Sequence, residues 1–140
     1  MRRLLVSLVT TTALLATGCG GGDSPEDPGG GSTAAQRPSS PAKIAIVAPK
    51  NGAVVKAGDV DVKIDLQGGE VVEPSVREVT PTTGHIHVEL DGVVVSMRYG
   101  LEQTIKVPDP GTHTLRVEFV AADHSPFNPR VFADAAFTAK

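Results

Sequence analysis

The fold of this chain is decided by the stretch His85-Ile86-His87-Val88-Glu89-Leu90-Asp91-Gly92. Polar and apolar residues alternate along it without exception, so that the histidines and acidic residues share one face and the aliphatic residues share the other. A period of two predicts a half-buried β-strand. The dipeptide Asp91-Gly92 that ends the stretch is typical of a two-residue hairpin turn. We therefore expect a strand, a tight turn and a return strand, with two histidines side by side on the polar face.

The register of the return strand, residues 93–99, follows from that turn. On the core side we expect the pairs Leu90–Val93, Val88–Val95 and Ile86–Met97, and on the water side Glu89–Val94, His87–Ser96 and His85–Arg98. A slip of one residue would send every apolar side chain into water, so the apolar pattern and the turn support the same register.

The rest of the folded sequence has the same character. Short apolar or alternating segments separated by Gly, Pro and Asn turns occupy residues 43–48, 60–66, 103–107, 114–119 and 131–139. No segment has helical periodicity. We predict an all-β domain, an immunoglobulin or fibronectin type III-like β-sandwich of seven to eight strands over residues 43–140.

The N-terminus has the pattern of an export signal. Two arginines at positions 2 and 3 precede an apolar run over residues 4–15, which is too short to span a bilayer. Residues 16–19, Ala-Thr-Gly-Cys, resemble the lipobox of bacterial lipoproteins, although Ala16 stands where that motif usually has Leu. The resemblance implies cleavage before Cys19 and attachment of fatty acyl chains such as palmitate to Cys19, which would anchor the protein to a membrane. An ordinary signal peptide with an incidental cysteine is the alternative.

The following residues, 20–42, are rich in Gly, Pro and Ser and have no apolar period, which predicts a flexible linker. We thus expect a signal peptide at 1–18, a lipidated Cys19 with a linker over 19–42, and the sandwich at 43–140. The expected location is the bacterial cell envelope, on the periplasmic or extracellular side of a membrane.

Composition excludes several functions. The 140 residues carry 13 Lys and Arg against 16 Asp and Glu, a net charge of -3, which argues against a nucleic-acid partner. Aromatic residues make up 4% of the chain, too few for a base-stacking surface. No nucleophile elbow, phosphate-binding glycine loop or pair of catalytic carboxylates is present, so we do not expect an enzyme.

Three of the four histidines are expected to meet at one end of the sandwich. In the immunoglobulin order the strand at 85–91 pairs antiparallel with the strand at 114–121, which puts His85 near Ala121. The loop that carries Asp123 and His124 leaves from that same end. Binding residues are often found on such loops.

One hypothesis for this cluster is a metal site. His85, His87 and His124 would supply nitrogen ligands and Asp123 an oxygen, to Cu(II) or Zn(II), because no thiolate is present to favour Cu(I). Glu89 and Arg98 would lie behind these ligands and orient them. The alternative is that the histidines are structural or contact a partner. His113 shares the parity of the core residues and is expected to lean inward and to hydrogen-bond locally.

The motifs Gly84-His85-Ile86-His87 and Asp123-His124 are similar to those of single-domain bacterial lipoproteins of unassigned role. That resemblance implies the fold and the anchor but no activity. The function expected from the sequence is a non-enzymatic binding or structural module of the envelope, with an envelope partner or ligand that the sequence does not name. The alternative is a metal-binding lipoprotein that uses His85, His87 and His124.

Overall fold

A computed structural model describes residues 36–140, which form an all-β domain. The strands are β1 (Lys43–Ala48), β2 (Ala53–Val55), β3 (Gly58–Gln67), β4 (Glu70–Val71), β5 (Thr83–Leu90), β6 (Val93–Ser96), β7 (Glu102–Val107), β8 (Gly111–Ala121) and β9 (Pro126–Ala139). The predicted fold class is confirmed. In this part of the chain no helix is long and apolar enough to cross a membrane.

The strands form two sheets. One has the order β1-β3-β7, and the other has the order β2-β9-β8-β5-β4 with β6 attached to β5. The apolar faces of the two sheets enclose the core, in which Val62, Ile86, Val117, Phe119 and Phe137 are almost completely shielded from water. The alternation of each strand is what gives it one face for this core.

The pairing of β5 with β8 is the part of the topology that positions the site. It is antiparallel, as predicted, and sets Gly84 opposite Ala121 and His85 opposite Val120. The start of β5 therefore lies beside the end of β8 and the turn that follows it.

The hairpin between β5 and β6 was predicted correctly at its turn and wrongly beyond it. Asp91 and Gly92 both have positive φ, 52° and 81°, and Leu90 pairs with Val93 as expected. A bulge then leaves Val88 opposite Ser96 instead of Val95. The bulge breaks the alternation, and the side chains predicted to face the core are exposed: Val93 by 64%, Val95 by 42% and Met97 by 53%.

The folded unit starts earlier than predicted. β1 begins at Lys43 as expected, but residues 36–42, here called the entry segment, lie against the domain. The carbonyl of Pro38 accepts a hydrogen bond of 3.0 Å from the Asn128 amide, and Ala42 is part of the core. The end of the predicted linker is therefore structured. The predicted signal peptide and Cys19 lie outside the described residues.

Candidate histidine site

The structure brings His85, His87 and His124 together at one end of the sandwich, as the sequence predicted; we call these three residues the histidine rim. His87 Nε2 lies 3.2 Å from His124 Nδ1. The ring centres of His85 and His124 are 4.4 Å apart, and those of His87 and His124 are 5.5 Å apart. The ring of His124 thus contacts both histidines of β5.

His124 owes its position to the tight turn between β8 and β9. The Ala121 amide donates to the Ser125 carbonyl at 3.0 Å, and the His124 amide donates to the Ala121 carbonyl at 2.8 Å. His124 takes a left-handed backbone conformation with φ of 62°, which His adopts more readily than most residues do. The turn therefore places the imidazole over β5 at some cost in backbone strain.

His85 is fully buried, although it was expected on a wet face. The correction has a physical cause: the edge of its ring packs against Tyr99, with ring centres 5.1 Å apart, and the ring of His124 covers it. Its Nε2 lies 3.5 Å from the Glu73 carbonyl, and its Nδ1 has no hydrogen-bond partner among the described residues. Burial lowers the pKa of His85 and so favours the neutral ring.

His87 is partly buried and lies opposite Glu118 on β8. Glu118 is itself almost fully buried and forms a two-bonded ion pair with the Arg130 guanidinium. Burial, and secondarily the positive charge that His124 can carry, lower the pKa of His87, while the Glu118 carboxylate acts in the opposite direction. The lowered pKa values of His85 and His87 favour the neutral form of both rings, which is the form that binds a metal ion.

Gly84 is required for the close approach of β5 to β8. A Cβ atom at this position would lie 1.9 Å from the Val120 carbonyl oxygen and 3.0 Å from the Phe119 ring. No side chain fits in that space. The glycine that precedes the two histidines in the motif therefore has a packing role.

The predicted oxygen ligand is engaged elsewhere. Both carboxylate oxygens of Asp123 bond to the Arg37 guanidinium, at 2.7 and 2.9 Å, and the Ser125 amide donates to one of them at 3.0 Å. Arg37 lowers the pKa of Asp123 by these hydrogen bonds. We therefore remove Asp123 from the ligand set and assign it to the support of the turn.

Of the two residues expected behind the ligands, Arg98 is not paired with His85. The pairing of β5 with β6 stops at Val88 and Ser96, and Arg98 lines an open groove with Asp59 and Lys106. Glu89 shares the face of His87 but lies opposite Arg116.

His113 is separate from the histidine rim, at the far end of β8. Its Nδ1 lies 2.7 Å from Asp91 Oδ2, its Nε2 lies 2.9 Å from the Asp109 carbonyl, and its ring packs on Phe137. The hydrogen bonds to Asp91 and Asp109 raise the pKa of His113. These local hydrogen bonds agree with the prediction that His113 hydrogen-bonds to its near neighbours.

Within residues 36–140, no group of three or more His, Cys, Asp or Glu side chains is arranged so that it could hold a metal ion. One pair of ring nitrogens nevertheless has the spacing of two ligands. Ligand nitrogens about 2.0–2.1 Å from an ion are about 2.8–3.4 Å apart at square-planar or tetrahedral angles. The separation of 3.2 Å between His87 Nε2 and His124 Nδ1 falls in that interval.

Sequence reasoning missed Tyr99, Arg37 and the Glu118–Arg130 pair. Arg37 gave no signal, because it lies in a segment whose composition is that of a linker. Glu118 alternates with core residues along its strand and was therefore expected to be exposed. Only its ion pair with Arg130 explains its burial. Tyr99 was the last residue of the predicted return strand, 93–99, and no contact was predicted between it and His85.

Comparison with known proteins identifies the fold and no family. No family model matches the chain, and no curated protein matches it. Among solved structures, the fibronectin(III)-like modules of Clostridium thermocellum CbhA align with 71% of this chain at 14% identity and a TM-score of 0.50. This chain spans 46% of that one. An engineered protein aligns with 71% of the chain at 18% identity, with a TM-score of 0.46, and this chain spans 20% of it. The domain has a fibronectin III or immunoglobulin-like fold.

Proposed function

We propose that the protein is a membrane-anchored, non-enzymatic binding module of the bacterial cell envelope, held by a lipidated Cys19, and that its ligand is a Cu(II) or Zn(II) ion bound at the histidine rim. The lipobox resemblance supports the anchor, and the absence of catalytic motifs from the sequence supports binding rather than catalysis. Of the two functions that the sequence leaves open, metal binding is supported by the spacing of one pair of ring nitrogens.

The separation of 3.2 Å between His87 Nε2 and His124 Nδ1 carries this proposal. A hydrogen bond between two neutral rings would give the same distance, so the third ring is needed to distinguish the two explanations. The ring of His85 lies against that of His124, tilted by 35° with the ring centres 4.4 Å apart, and its buried Nδ1 has no hydrogen-bond partner among the described residues. An unsatisfied buried donor or acceptor costs about 1–3 kcal/mol, and a bound ion would remove that cost.

The roles follow from these positions. His87 Nε2 and His124 Nδ1 form the chelating pair, and His85 adds Nδ1 as a third ligand once its ring turns. Water or an exogenous ligand completes the coordination. Imidazole nitrogens without thiolate suit Cu(II) and Zn(II).

Isothermal titration of the purified full chain, prepared without a histidine tag, tests the proposal. We expect about one equivalent of Cu(II) or Zn(II) to bind at pH 7.5, and binding to fail as the pH falls through about 6.5, because protonated imidazoles cannot bind metal. His87→Ala and His124→Ala should each weaken the affinity by at least about 10–100-fold. His85→Ala should weaken it as well.

His113→Ala is the matched control, since it removes an imidazole far from the histidine rim, and it should leave the affinity unchanged. Wild type that takes up no ion, or a loss of affinity in His113→Ala equal to that in His124→Ala, would contradict the metal site. The histidines would then be structural or would contact a partner.

A further inference from the structure

The entry segment is attached to the turn that carries His124 by a single side chain. Arg37 donates two hydrogen bonds to the Asp123 carboxylate, at 2.7 and 2.9 Å, one to the Ser125 carbonyl at 3.1 Å and one to the Pro126 carbonyl at 3.1 Å. These acceptors belong to Asp123, immediately before His124, and to Ser125 and Pro126, the two residues after it. The guanidinium therefore holds the turn on both sides of the imidazole.

The shape of the guanidinium makes this contact specific. Its planar fork matches a carboxylate with two parallel hydrogen bonds, which a lysine cannot reproduce. The turn also needs such support, because His124 has a φ of 62° and a strained backbone persists where the surrounding structure fixes it. Loss of Arg37 would leave the turn with its internal hydrogen bonds alone.

We infer that Arg37 is a positioning residue of the metal site, so that docking of the entry segment and binding of the ion at the histidine rim stabilise each other. The inference rests on the proposed function. If docked Arg37 improves the geometry of His124 for an ion, then by linkage the bound ion must favour the docked entry segment by the same factor.

A stability role can be separated from this positioning role. The side chains of Arg37 and Asp123 are 30% and 33% exposed, and ion pairs that are open to water contribute little to global stability. Removal of Arg37 should therefore change the unfolding midpoint of the metal-free chain slightly, and the affinity for the ion substantially.

The chain offers a matched control. Arg116 makes the same two-bonded contact with Asp134, at 2.7 and 2.8 Å, and these side chains are 32% and 41% exposed. That pair lies on β8 and β9, away from the turn. Arg116→Ala thus removes an ion pair of the same kind without touching the support of His124.

The experiment titrates Zn(II) and Cu(II) into the full-length wild type, Arg37→Ala, Arg37→Lys and Arg116→Ala. We expect Arg37→Ala to weaken the affinity by about 10-fold, the lower end of what loss of an orienting partner causes. Arg37→Lys should fall between Arg37→Ala and wild type, and Arg116→Ala should match wild type. In a His124→Ala background, Arg37→Ala should have no further effect.

Two independent readouts complete the test. Amide hydrogen exchange of residues 36–42 should slow when Zn(II) binds to wild type and should not slow in His124→Ala. In the metal-free chain, the NMR signals of the His124 ring should shift in Arg37→Ala and stay in place in Arg116→Ala.

The outcomes separate this inference from the proposed function. If wild type binds the ion and Arg37→Ala binds it equally well, or if Arg116→Ala loses as much affinity, the positioning role is wrong and the metal site stands. If wild type binds no ion, the proposed function fails and this inference fails with it.

Discussion

Gly84→Ala is the substitution whose effect on stability follows most directly from the structure. The new Cβ would lie 1.9 Å from the Val120 carbonyl oxygen, whereas a carbon and an oxygen normally approach to about 3.3 Å. The obstacle is backbone, so no side-chain rotation relieves it. β5 must move away from β8 by roughly 1.4 Å at this point, where Gly84 faces Ala121 and His85 faces Val120.

The cost has two parts. Overpacking of a closed contact costs about 1–3 kcal/mol, and one or two weakened ladder hydrogen bonds add about 0.5–1.5 kcal/mol each. Gly84→Ala should therefore lower the free energy of unfolding by about 1.5–6 kcal/mol. Gly92→Ala provides the comparison: no atom lies within 4 Å of its new Cβ, and only the positive φ of 81° is penalised, by about 1–2 kcal/mol.

Urea unfolding of the metal-free proteins, followed by circular dichroism, measures both variants. Each kcal/mol corresponds to about 4–8 °C in Tm for a domain of this size, so thermal melts should give the same order. Gly84→Ala should also weaken ion binding, because His85 is the next residue along the displaced strand. A variant as stable as wild type, or more stable than Gly92→Ala, would show that β5 and β8 are not as close as described.

Three further predictions concern the anchor, the buried ion pair and the response to pH. Cys19→Ala should abolish metabolic labelling with a fatty acid, and equal labelling of the variant and wild type would refute the anchor. Arg130→Ala should lower the free energy of unfolding by about 1–3 kcal/mol, because it leaves the buried Glu118 carboxylate unpaired, and an unchanged urea midpoint would contradict that. The lowered pKa of His85 means that the unfolded chain binds more protons below about pH 6.5, so metal-free stability should fall on acidification from pH 8 to 5. The raised pKa of His113 contributes to stability with the opposite sign: the contribution is complete below about pH 6.5 and is lost as the pH rises through that raised pKa. His113→Gln removes this contribution, so its stability should fall more steeply than that of wild type on acidification from pH 8 to 5. A shallower fall would show that the pKa of His113 is not raised.

The convergence of the histidines was predictable because it depends on features that a sequence records. Alternation gave the parity of His85 and His87, and antiparallel pairing brings the start of one strand beside the end of the other. The turn at Asp91-Gly92 was predictable for the same reason, since few pairs of neighbouring residues can both take positive φ, and Asp-Gly is one of them.

The rest depended on contacts between segments far apart in the chain. The bulge after Val88 leaves no mark in a run of three valines, so the exposed face of β6 was assigned to the core. His85 was expected in water because the alternation shows which face a residue takes and not whether a loop covers that face. Asp123 was a reasonable ligand by type, and only the position of Arg37, 86 residues away, reveals that its oxygens are occupied.

The distance along the chain between the two closest ring nitrogens has a consequence for when an ion can enter. His87 and His124 are 37 positions apart, and their rings meet only after β5 has paired with β8 and the following turn has formed. Under the proposed function, an ion that needs both rings could be held only after the second sheet has closed. Nitrogen ligands bind Cu(II) more tightly than Zn(II) when both are free, so the ion found in the folded protein would then report the metal supply of the compartment in which folding ends.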